Sequence, residues 1–203
     1  MITSLTKQDL VNFEENMAVC FNQKQIKAPV HLSNGNEDEM IKVFQTVKPK
    51  DWCFGSWRSH FICLLKGVPP DEVKQAILDG KSISLCFPKY RVFSSAIVGG
   101  SIPIAVGVAL SIKRNGGSEK VYCFVGDMAS ETGIMWESFK YAFQHKLPIK
   151  FIIEDNNKSV CTLTRETWNM DRLTFEGADS DMIYHYKYEN KYPHAGVGQR
   201  IQF

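Results

Sequence analysis

The sequence lacks a strong charge of either sign. Its 24 Lys and Arg residues nearly balance its 22 Asp and Glu residues, which leaves a net charge of +2 at pH 7. Proteins that grip the nucleic-acid backbone carry clustered positive charge. The composition therefore excludes an electrostatic nucleic-acid binder, and we expect no nucleic-acid partner.

Long hydrophobic runs are also missing. The apolar stretch VYCFV at residues 121–125 is far shorter than the roughly 20 residues that a membrane-spanning helix needs. The opening residues, MITSLTKQDL, lack the basic segment and following apolar segment that mark a signal peptide. We therefore expect no membrane partner and a cytoplasmic location.

Cysteine pairs at metal-binding spacing are absent as well. The chain has six cysteines but no CxxC or CxxH sequence, and most of them lie inside apolar segments such as VYCF. This pattern does not match the spacings of zinc sites or of disulfide frameworks. We predict buried free thiols at positions 20, 53, 63, 86, 123 and 161.

The first half of the chain carries mainly helix signals. A length of 203 residues suits one domain, so residues 1–203 are predicted to form a single domain. Helical spacing runs over residues 5–20, and a second helix is predicted to begin near Asn36. Residues 69–80 combine an early Pro, early acids and a final Gly, as compact helices do, whereas residues 81–95 are predicted to be mostly loop.

The second half of the chain predicts a parallel sheet. Residues 96–117 are small and apolar, which favours a buried helix packed closely on another layer or on another chain. A strand at 120–125, a helix at 131–145 and a strand at 149–154 then form a βαβ unit, and a last strand is predicted at 181–188. The predicted fold class is α/β, a layered, mostly parallel sheet with helices on both faces.

Two neighbouring strands of this predicted sheet end in polar residues. The first ends at Gly126 and Asp127, and the second ends at Asp155, Asn156 and Asn157. The carboxyl ends of parallel strands meet at one rim, where the amides of following helices bind anions. Carboxylate, amide and carbonyl oxygens suit Mg²⁺ or Ca²⁺ beside phosphate. The plain alternative is that Asp127 caps a helix and the two asparagines form a turn.

Five sequence blocks resemble the alpha subunit of two-subunit thiamine-diphosphate-dependent 2-oxoacid dehydrogenases, the pyruvate, branched-chain and acetoin types. The blocks, in the family's order, are VHLSNGNEDE, SWRSHFICLLKG, SAIVGGSIPIAVGVAL, GDMASETG with WESF, and KLPIKFIIEDNN. They run from about Ile26 to Thr162. The resemblance implies the thiamine-diphosphate-binding fold, with thiamine diphosphate and Mg²⁺ as cofactors.

The resemblance also implies a set of binding residues. In the family the metal ligands are the motif Asp, an Asn 29 positions later and a backbone carbonyl two residues beyond it. Since 156 − 127 = 29, the corresponding ligands here are Asp127, Asn156 and the carbonyl of Lys158. A surface ion pair is the alternative role for Arg58, and helix packing is the alternative for the segment around Val98. The implied cofactor-binding residues are Trp57, Arg58, Ala96, Val98, Gly126, Asp127, Met128, Ala129, Asn156 and Lys187.

Three histidines match, or lie near, active-site histidines of the family. His31 and His60 fall on such positions, and His194 lies in a segment similar to a histidine-containing loop. Histidine titrates near neutral pH and can therefore transfer protons to and from a bound substrate. The resemblance implies that these three residues are catalytic, with a structural role as the alternative for each.

The sequence departs from the family in three ways. Met128 replaces the second Gly of the Gly-Asp-Gly motif, which puts the local shape of the phosphate loop in doubt. The region between Thr162 and Tyr186 is short, which indicates a trimmed cofactor domain. Finally, the family takes the Glu that activates the cofactor from a beta subunit, so we expect a beta-type partner in a heterodimer or an α2β2 assembly.

The expected function is that of an alpha-type subunit that decarboxylates a 2-oxoacid, or transfers the resulting acyl or two-carbon unit, on a small-molecule substrate. A dehydrogenase would add a lipoyl acyltransferase as a partner. One alternative is a split transketolase-like enzyme of carbohydrate biosynthesis, which the trimmed region favours. The other is a non-catalytic partner that keeps the fold, for which Met128 is the main argument.

Overall fold

The computed structural model describes residues 4–178, 180–195 and 201–203, so a few residues of the predicted 1–203 domain lie outside it. The elements below are those of the described residues. The helices are α1 (Lys7–Asn22), α2 (Glu37–Phe44), α3 (His60–Leu65), α4 (Pro70–Leu78), α5 (Ser101–Arg114), α6 (Asp127–Ser130), α7 (Gly133–Gln144) and α8 (Thr164–Trp168). The strands are β1 (Trp52–Gly55), β2 (Cys86–Phe87), β3 (Val92–Ser94), β4 (Val121–Gly126), β5 (Ile149–Asp155), β6 (Lys158–Ser159), β7 (Thr162–Leu163) and β8 (Ile183–Lys187).

Six of these strands form one sheet in the order β2-β3-β1-β4-β5-β8. Strands β3, β1, β4, β5 and β8 are parallel to their neighbours, and only the edge strand β2 is antiparallel. Strands β6 and β7 form a separate small hairpin directly after β5. The predicted mostly parallel sheet is confirmed.

Both faces of the sheet are covered, because side chains of the central strand alternate between two hydrophobic cores. Tyr122 and Phe124 join the core that α1 to α4 build on one face. Val121, Cys123 and Val125 join the core that α5 and α7 build on the other face. The predicted arrangement of helices on both faces is therefore confirmed.

Local signals explain several helix boundaries. Thr6 caps α1 reciprocally: its hydroxyl accepts a hydrogen bond from the Asp9 amide, and the Asp9 carboxylate accepts one from the Thr6 amide. Helix α4 begins at Pro70, where the missing amide hydrogen costs nothing. Within the described ranges, no helix is long and apolar enough to cross a membrane.

The prediction for residues 81–95 is wrong in one respect. Two strands of the main sheet lie inside this segment: β3 pairs in parallel with β1, and β2 pairs antiparallel with β3. The sequence does not predict β1 or helix α3 either. These elements have only two to six residues, too few to establish a period of their own.

Two burial predictions can be compared with the structure. Helix α5 packs on the sheet layer through Ile102, Ala105 and Ala109, as one of the two predicted arrangements has it, while Ile104 on the other face is exposed in the single chain. All six cysteines are free thiols, as predicted, but Cys86 and Cys161 are exposed, because Cys86 lies on the edge strand β2 and Cys161 lies in the turn between β6 and β7.

Candidate functional site

A pocket lies at the carboxyl ends of β1, β4 and β5, and the polar ends of β4 and β5 do meet at one rim of the sheet. Strand register places Gly126 opposite Glu154, so the residues that follow each strand are neighbours. The pocket is lined by Ser33, Ser56, Trp57, Arg58, Val98, Gly99, Gly126, Asp127, Met128, Ala129, Glu154, Asn156, Lys158, Ser159 and Tyr188.

Asp127 is the first residue of α6 and is 2% exposed. Its Oδ2 atom has no hydrogen-bond partner among the described residues. Burial raises the pKa of Asp127 to about 6, and the negative charge of Asp155 adds to the rise. The Thr164 hydroxyl lies near enough to Asp127 to lower its pKa in part, although the hydroxyl oxygen makes no hydrogen bond of good geometry to any described residue. A buried carboxylate oxygen without a partner fits a cation.

Asn156 is held from two sides. Its Nδ2 donates to the Tyr188 hydroxyl at 3.1 Å, and its Oδ1 accepts from the Lys158 amide at 3.0 Å. Asn157 adopts the left-handed conformation with φ of 58°, which turns the chain between Asn156 and Lys158. The turn brings both proposed ligands to the wall of the pocket.

The backbone of residues 126–129, the segment that the resemblance places around the diphosphate, is compatible with the side chains it carries. A methyl group built on Gly126 would meet no atom within 4 Å, so open space lies beside this residue. Met128 lies inside α6 and is not among the described residues with positive φ, so its backbone carries no left-handed strain. Its Sδ accepts a hydrogen bond from Trp168 Nε1 at 3.1 Å. The replacement of glycine by Met128 therefore introduces no left-handed backbone strain into this segment.

Two of the predicted histidines lie together at the side of the pocket where Trp57 and Arg58 line it. The rings of His31 and His194 stack at 4.1 Å, and the Trp57 ring meets both rings edge-on. Burial lowers the pKa of His31 to about 3, with His194 and Arg58 adding to the effect. Burial and the charge of Arg58 also lower the pKa of His194. Both imidazoles are therefore neutral at pH 7.

This cluster holds several unpartnered buried atoms. One nitrogen of each of four side chains has no hydrogen-bond partner among the described residues: His31 Nδ1, Trp57 Nε1, Arg58 Nε and His194 Nδ1. Such atoms are costly unless a ligand or water satisfies them. Together with Asp127 Oδ2, they mark this region as a binding site for a polar group.

His60 is not brought into the pocket. Its ring is fully buried, with Nδ1 at 3.2 Å from Glu14 Oε1 and Nε2 at 2.9 Å from Ser82 Oγ. The Glu14 carboxylate also accepts hydrogen bonds from the amides of Ser33 and Asn34. His60 thus supports the segment that carries His31, and its predicted part in proton transfer stays a prediction.

Three other residues singled out from the sequence lie apart from the pocket wall. Ala96 is exposed on the segment before α5. The Lys187 ammonium forms an ion pair with Glu176 instead of lining the pocket. Asp155 turns away from the rim and pairs with Arg165. The predictions for Ala96 and Lys187 therefore receive no support from the pocket geometry.

Comparison with known proteins identifies the family of the chain. The sequence profile of a family described as "Dehydrogenase E1 component" matches residues 6–183. The chain belongs to this family. It is 32% identical over 174 residues to the pyruvate dehydrogenase E1 component subunit alpha of Rickettsia felis, covering 80% of this chain and 53% of that protein.

A second relative in the E1 family comes from Cupriavidus necator. The alpha subunit of its acetoin:2,6-dichlorophenolindophenol oxidoreductase is 30% identical over 162 residues, covering 74% of this chain and 48% of that protein. The chain thus spans about half the length of these relatives. A solved structure of a Mycobacterium smegmatis enzyme assigned as thiamin diphosphate-dependent aligns with a TM-score of 0.42 and 19% identity, over 66% of this chain and 25% of that chain.

Several pocket residues of this E1-family chain escaped the sequence reasoning. Glu154 ends the apolar run of β5, and an acid at the end of a buried strand is a signal that would have identified it. Tyr188 follows β8 and fixes Asn156. Thr164 lies beside Asp127 without lining the pocket, and it has no local signal because the turn after β5 brings it back to the rim.

Proposed function

We propose that this chain is an alpha-type E1 subunit that binds thiamine diphosphate with Mg²⁺ and acts in the decarboxylation of a 2-oxoacid, or in transfer of the resulting acyl or two-carbon unit. The observation that carries the proposal is the buried Asp127 carboxylate, whose Oδ2 has no hydrogen-bond partner among the described residues and which lines a pocket together with Asn156. Family membership supports the class of chemistry.

The residues around the pocket fit such a cofactor. Asp127, the Asn156 amide and the Lys158 carbonyl are the hard oxygen ligands that Mg²⁺ takes beside phosphate. The open space beside Gly126 and the unpartnered Nε of Arg58 suit the oxygens of a diphosphate. The exposed apolar side chain of Val98 suits the face of an organic ring at the pocket entrance.

Proton transfer is assigned to His31 and His194. Both rings are neutral, and each has one nitrogen without a partner among the described residues, so each is able to accept or donate a proton at that atom. When bound, thiamine diphosphate supplies the stabilisation of negative charge on carbon that the reaction needs. For His60 the hydrogen bond to Glu14 supports a positioning role instead.

The partner in this proposal is a beta-type subunit. The relatives are named as alpha subunits, and the pocket of this chain borders exposed apolar side chains at Val98 and Ile97. The partner would supply the activating Glu and complete the site. A heterodimer or an α2β2 assembly both satisfy this arrangement, and a lipoyl acyltransferase would receive the acyl group of a dehydrogenase.

Calorimetric titration tests the proposal. The 203-residue chain, alone and with its beta-type partner, is titrated with thiamine diphosphate in the presence of Mg²⁺ or of EDTA. We expect saturable, Mg²⁺-dependent binding. Absence of binding both with and without the partner would refute the proposed function.

The metal assignment has its own test in Asp127→Asn, which keeps the volume but removes the charge. We expect the Mg²⁺-dependent part of the binding to be lost while far-UV circular dichroism is unchanged. Asp71→Asn, an exposed acid in the first turn of α4, is the matched control and should bind like the wild type. Unchanged affinity in Asp127→Asn would show that the metal lies elsewhere.

A further inference from the structure

The turn after β5 carries two of the three proposed metal ligands, yet it lies outside the hydrogen-bonded ladder of the main sheet. Strand β5 ends at Asp155, and Asn157 takes a left-handed conformation that a non-Gly residue adopts only at some cost. Two local hydrogen bonds, Asn157 amide to Asp155 Oδ1 and Lys158 amide to Asn156 Oδ1, are both 3.0 Å long. Such turns need further support to hold one geometry.

Arg165, the second residue of α8, supplies that support. Its Nη1 donates to Asp155 Oδ1 and to Asn157 Oδ1, both at 3.1 Å. Its Nη2 donates to Asp155 Oδ2 at 2.7 Å, and its backbone amide donates to Asn157 Oδ1 at 3.1 Å. One residue therefore grips both neighbours of Asn156.

The same contacts determine where the Asp155 carboxylate points. Its side chain is almost fully buried, and it receives the Arg165 fork on both oxygens and His185 Nε2 on Oδ2 at 3.1 Å. Burial acts to raise the pKa of Asp155, but the hydrogen bonds from His185 and Arg165 outweigh it and hold the pKa well below its usual range. The Asp155 carboxylate is therefore an anion paired with Arg165 and His185.

The Arg165 guanidinium has a second acidic partner, Glu176. Arg165 Nη2 donates to Glu176 Oε2 at 2.8 Å, and the other oxygen of Glu176 pairs with Lys187. Asp155, Glu176 and His185 group their ligand atoms closely enough to suggest a cation site, but the Arg165 guanidinium already pairs with two of the three, Asp155 and Glu176. The cluster is therefore satisfied by the chain itself.

We propose that Arg165 is a positioning residue for the metal site: by gripping Asp155 and Asn157 it holds Asn156 and the Lys158 carbonyl in the orientation that Mg²⁺ needs. This inference rests on the proposed function for its ligand. The structural part of the inference does not depend on that function: it says that Arg165 sets the geometry of the 155–158 turn. A planar fork is required for it, so lysine does not substitute for arginine.

The decisive variant is Arg165→Lys, which keeps the charge but loses the bidentate grip. Loss of a residue that orients a metal ligand costs about 10- to 100-fold in metal affinity, and we expect that range for Mg²⁺ measured at fixed thiamine diphosphate. Raising Mg²⁺ should restore cofactor binding to the wild-type level, a rescue that a purely structural defect would not show. Wild-type Mg²⁺ affinity in a folded Arg165→Lys chain overturns the inference.

Two matched controls separate positioning from general stability. Arg91→Lys makes the same change of side chain at an arginine whose Nη1 donates to the Lys50 carbonyl and to Glu119, residues that do not line the pocket. It should leave Mg²⁺ affinity unchanged. Glu176→Gln weakens the contacts of residue 176 with Arg165 and Lys187 but leaves the Arg165 contacts with Asp155 and Asn157 in place, so it should weaken Mg²⁺ binding less than Arg165→Lys does. An Arg91→Lys loss equal to that of Arg165→Lys would also overturn the inference.

A ligand-free crystal structure of Arg165→Lys keeps the two proposals distinguishable. If the wild type binds no Mg²⁺ and thiamine diphosphate, the proposed function fails, and the crystal structure alone decides the inference. A displaced or disordered 155–158 turn would support it, and an unchanged turn would refute it.

Discussion

At the residue scale, the charge of Glu154 is expensive to keep in the pocket wall because the residue is buried. Its carboxylate accepts hydrogen bonds from the Tyr186 hydroxyl at 2.7 Å and from Asn36 Nδ2 at 3.2 Å. Burial nevertheless raises its pKa to about 7, against partial relief from Tyr186 and Arg58. The folded chain therefore holds a proton on Glu154 that the unfolded chain releases above its ordinary pKa of about 4.3.

This difference predicts how stability depends on pH. Between about pH 4.5 and 7 the native state binds more protons at Glu154, so its contribution to stability is present at low pH and lost as the pH rises through this window. Glu154→Gln keeps both hydrogen bonds without the charge, and should raise the free energy of unfolding at pH 8 by about 1 to 3 kcal/mol. Urea unfolding at pH 4.5 and pH 8 measures the effect, and equal gains at both pH values would contradict it.

Asp127 predicts a second pH effect, on binding rather than on folding. Its pKa of about 6 in the free chain means that Mg²⁺ must displace a proton from it at lower pH. Below pH 6 the Mg²⁺ affinity should fall about tenfold per pH unit, as for any ligand that competes with one proton. Calorimetry at pH 5, 6 and 7.5 tests this, and a flat profile would show that Asp127 is not the titrating ligand.

At the element scale, the chain segment that carries His31 and the one that carries His194 are held together where their backbones come close, at Gly35. Gly35 has φ of 129°, and a methyl group added to it would lie 2.1 Å from the Glu189 carbonyl oxygen. Beside it, the Lys191 amide donates to the Asn34 carbonyl at 3.1 Å. The two segments touch here because residue 35 has no side chain.

Gly35→Ala should therefore destabilise the chain by more than about 1 kcal/mol, since both the backbone conformation and the contact are incompatible with a methyl group. Gly107→Ala is the matched control: its position in α5 is helical and its Cβ would meet nothing within 4 Å. That change should stabilise the chain by about 0.5 to 1 kcal/mol. Denaturant unfolding of both variants gives the comparison, and a neutral Gly35→Ala would mean that the two segments separate easily.

The elements that can be predicted from the sequence are those whose own residues carry a helix or strand signal. Helix α4 has Pro70 at its start, and β4 and β5 are apolar runs that end in polar residues. Strand β3 has three residues and is a strand only because β1 and β2 pair with it. Likewise, Asp155 points away from the pocket because Arg165 and His185 reach it from α8 and β8, and nothing near Asp155 in the sequence indicates that contact.

At the scale of the whole molecule, the pocket borders a patch of exposed apolar side chains, here called the rim patch: Ile97, Val98 and Ile134. Ile97 is 74% exposed, Val98 lines the pocket, and Gly99 brings Ile134 beside them. Contiguous exposed apolar surface next to a ligand site is typical of protein contacts. The proposed beta-type partner, which must reach the cofactor, therefore fits this patch.

Ile97→Asp tests this placement. An apolar anchor at the centre of an interface contributes about 2 kcal/mol or more, so affinity for the beta-type partner should fall at least about 30-fold. Thermal stability of the isolated chain should not change, because the Ile97 side chain is mostly in water. Phe143→Asp, at the far end of α7 and also exposed, is the matched control. If Phe143→Asp abolishes assembly and Ile97→Asp does not, the partner binds at that end of α7, and the pocket must be completed from another direction.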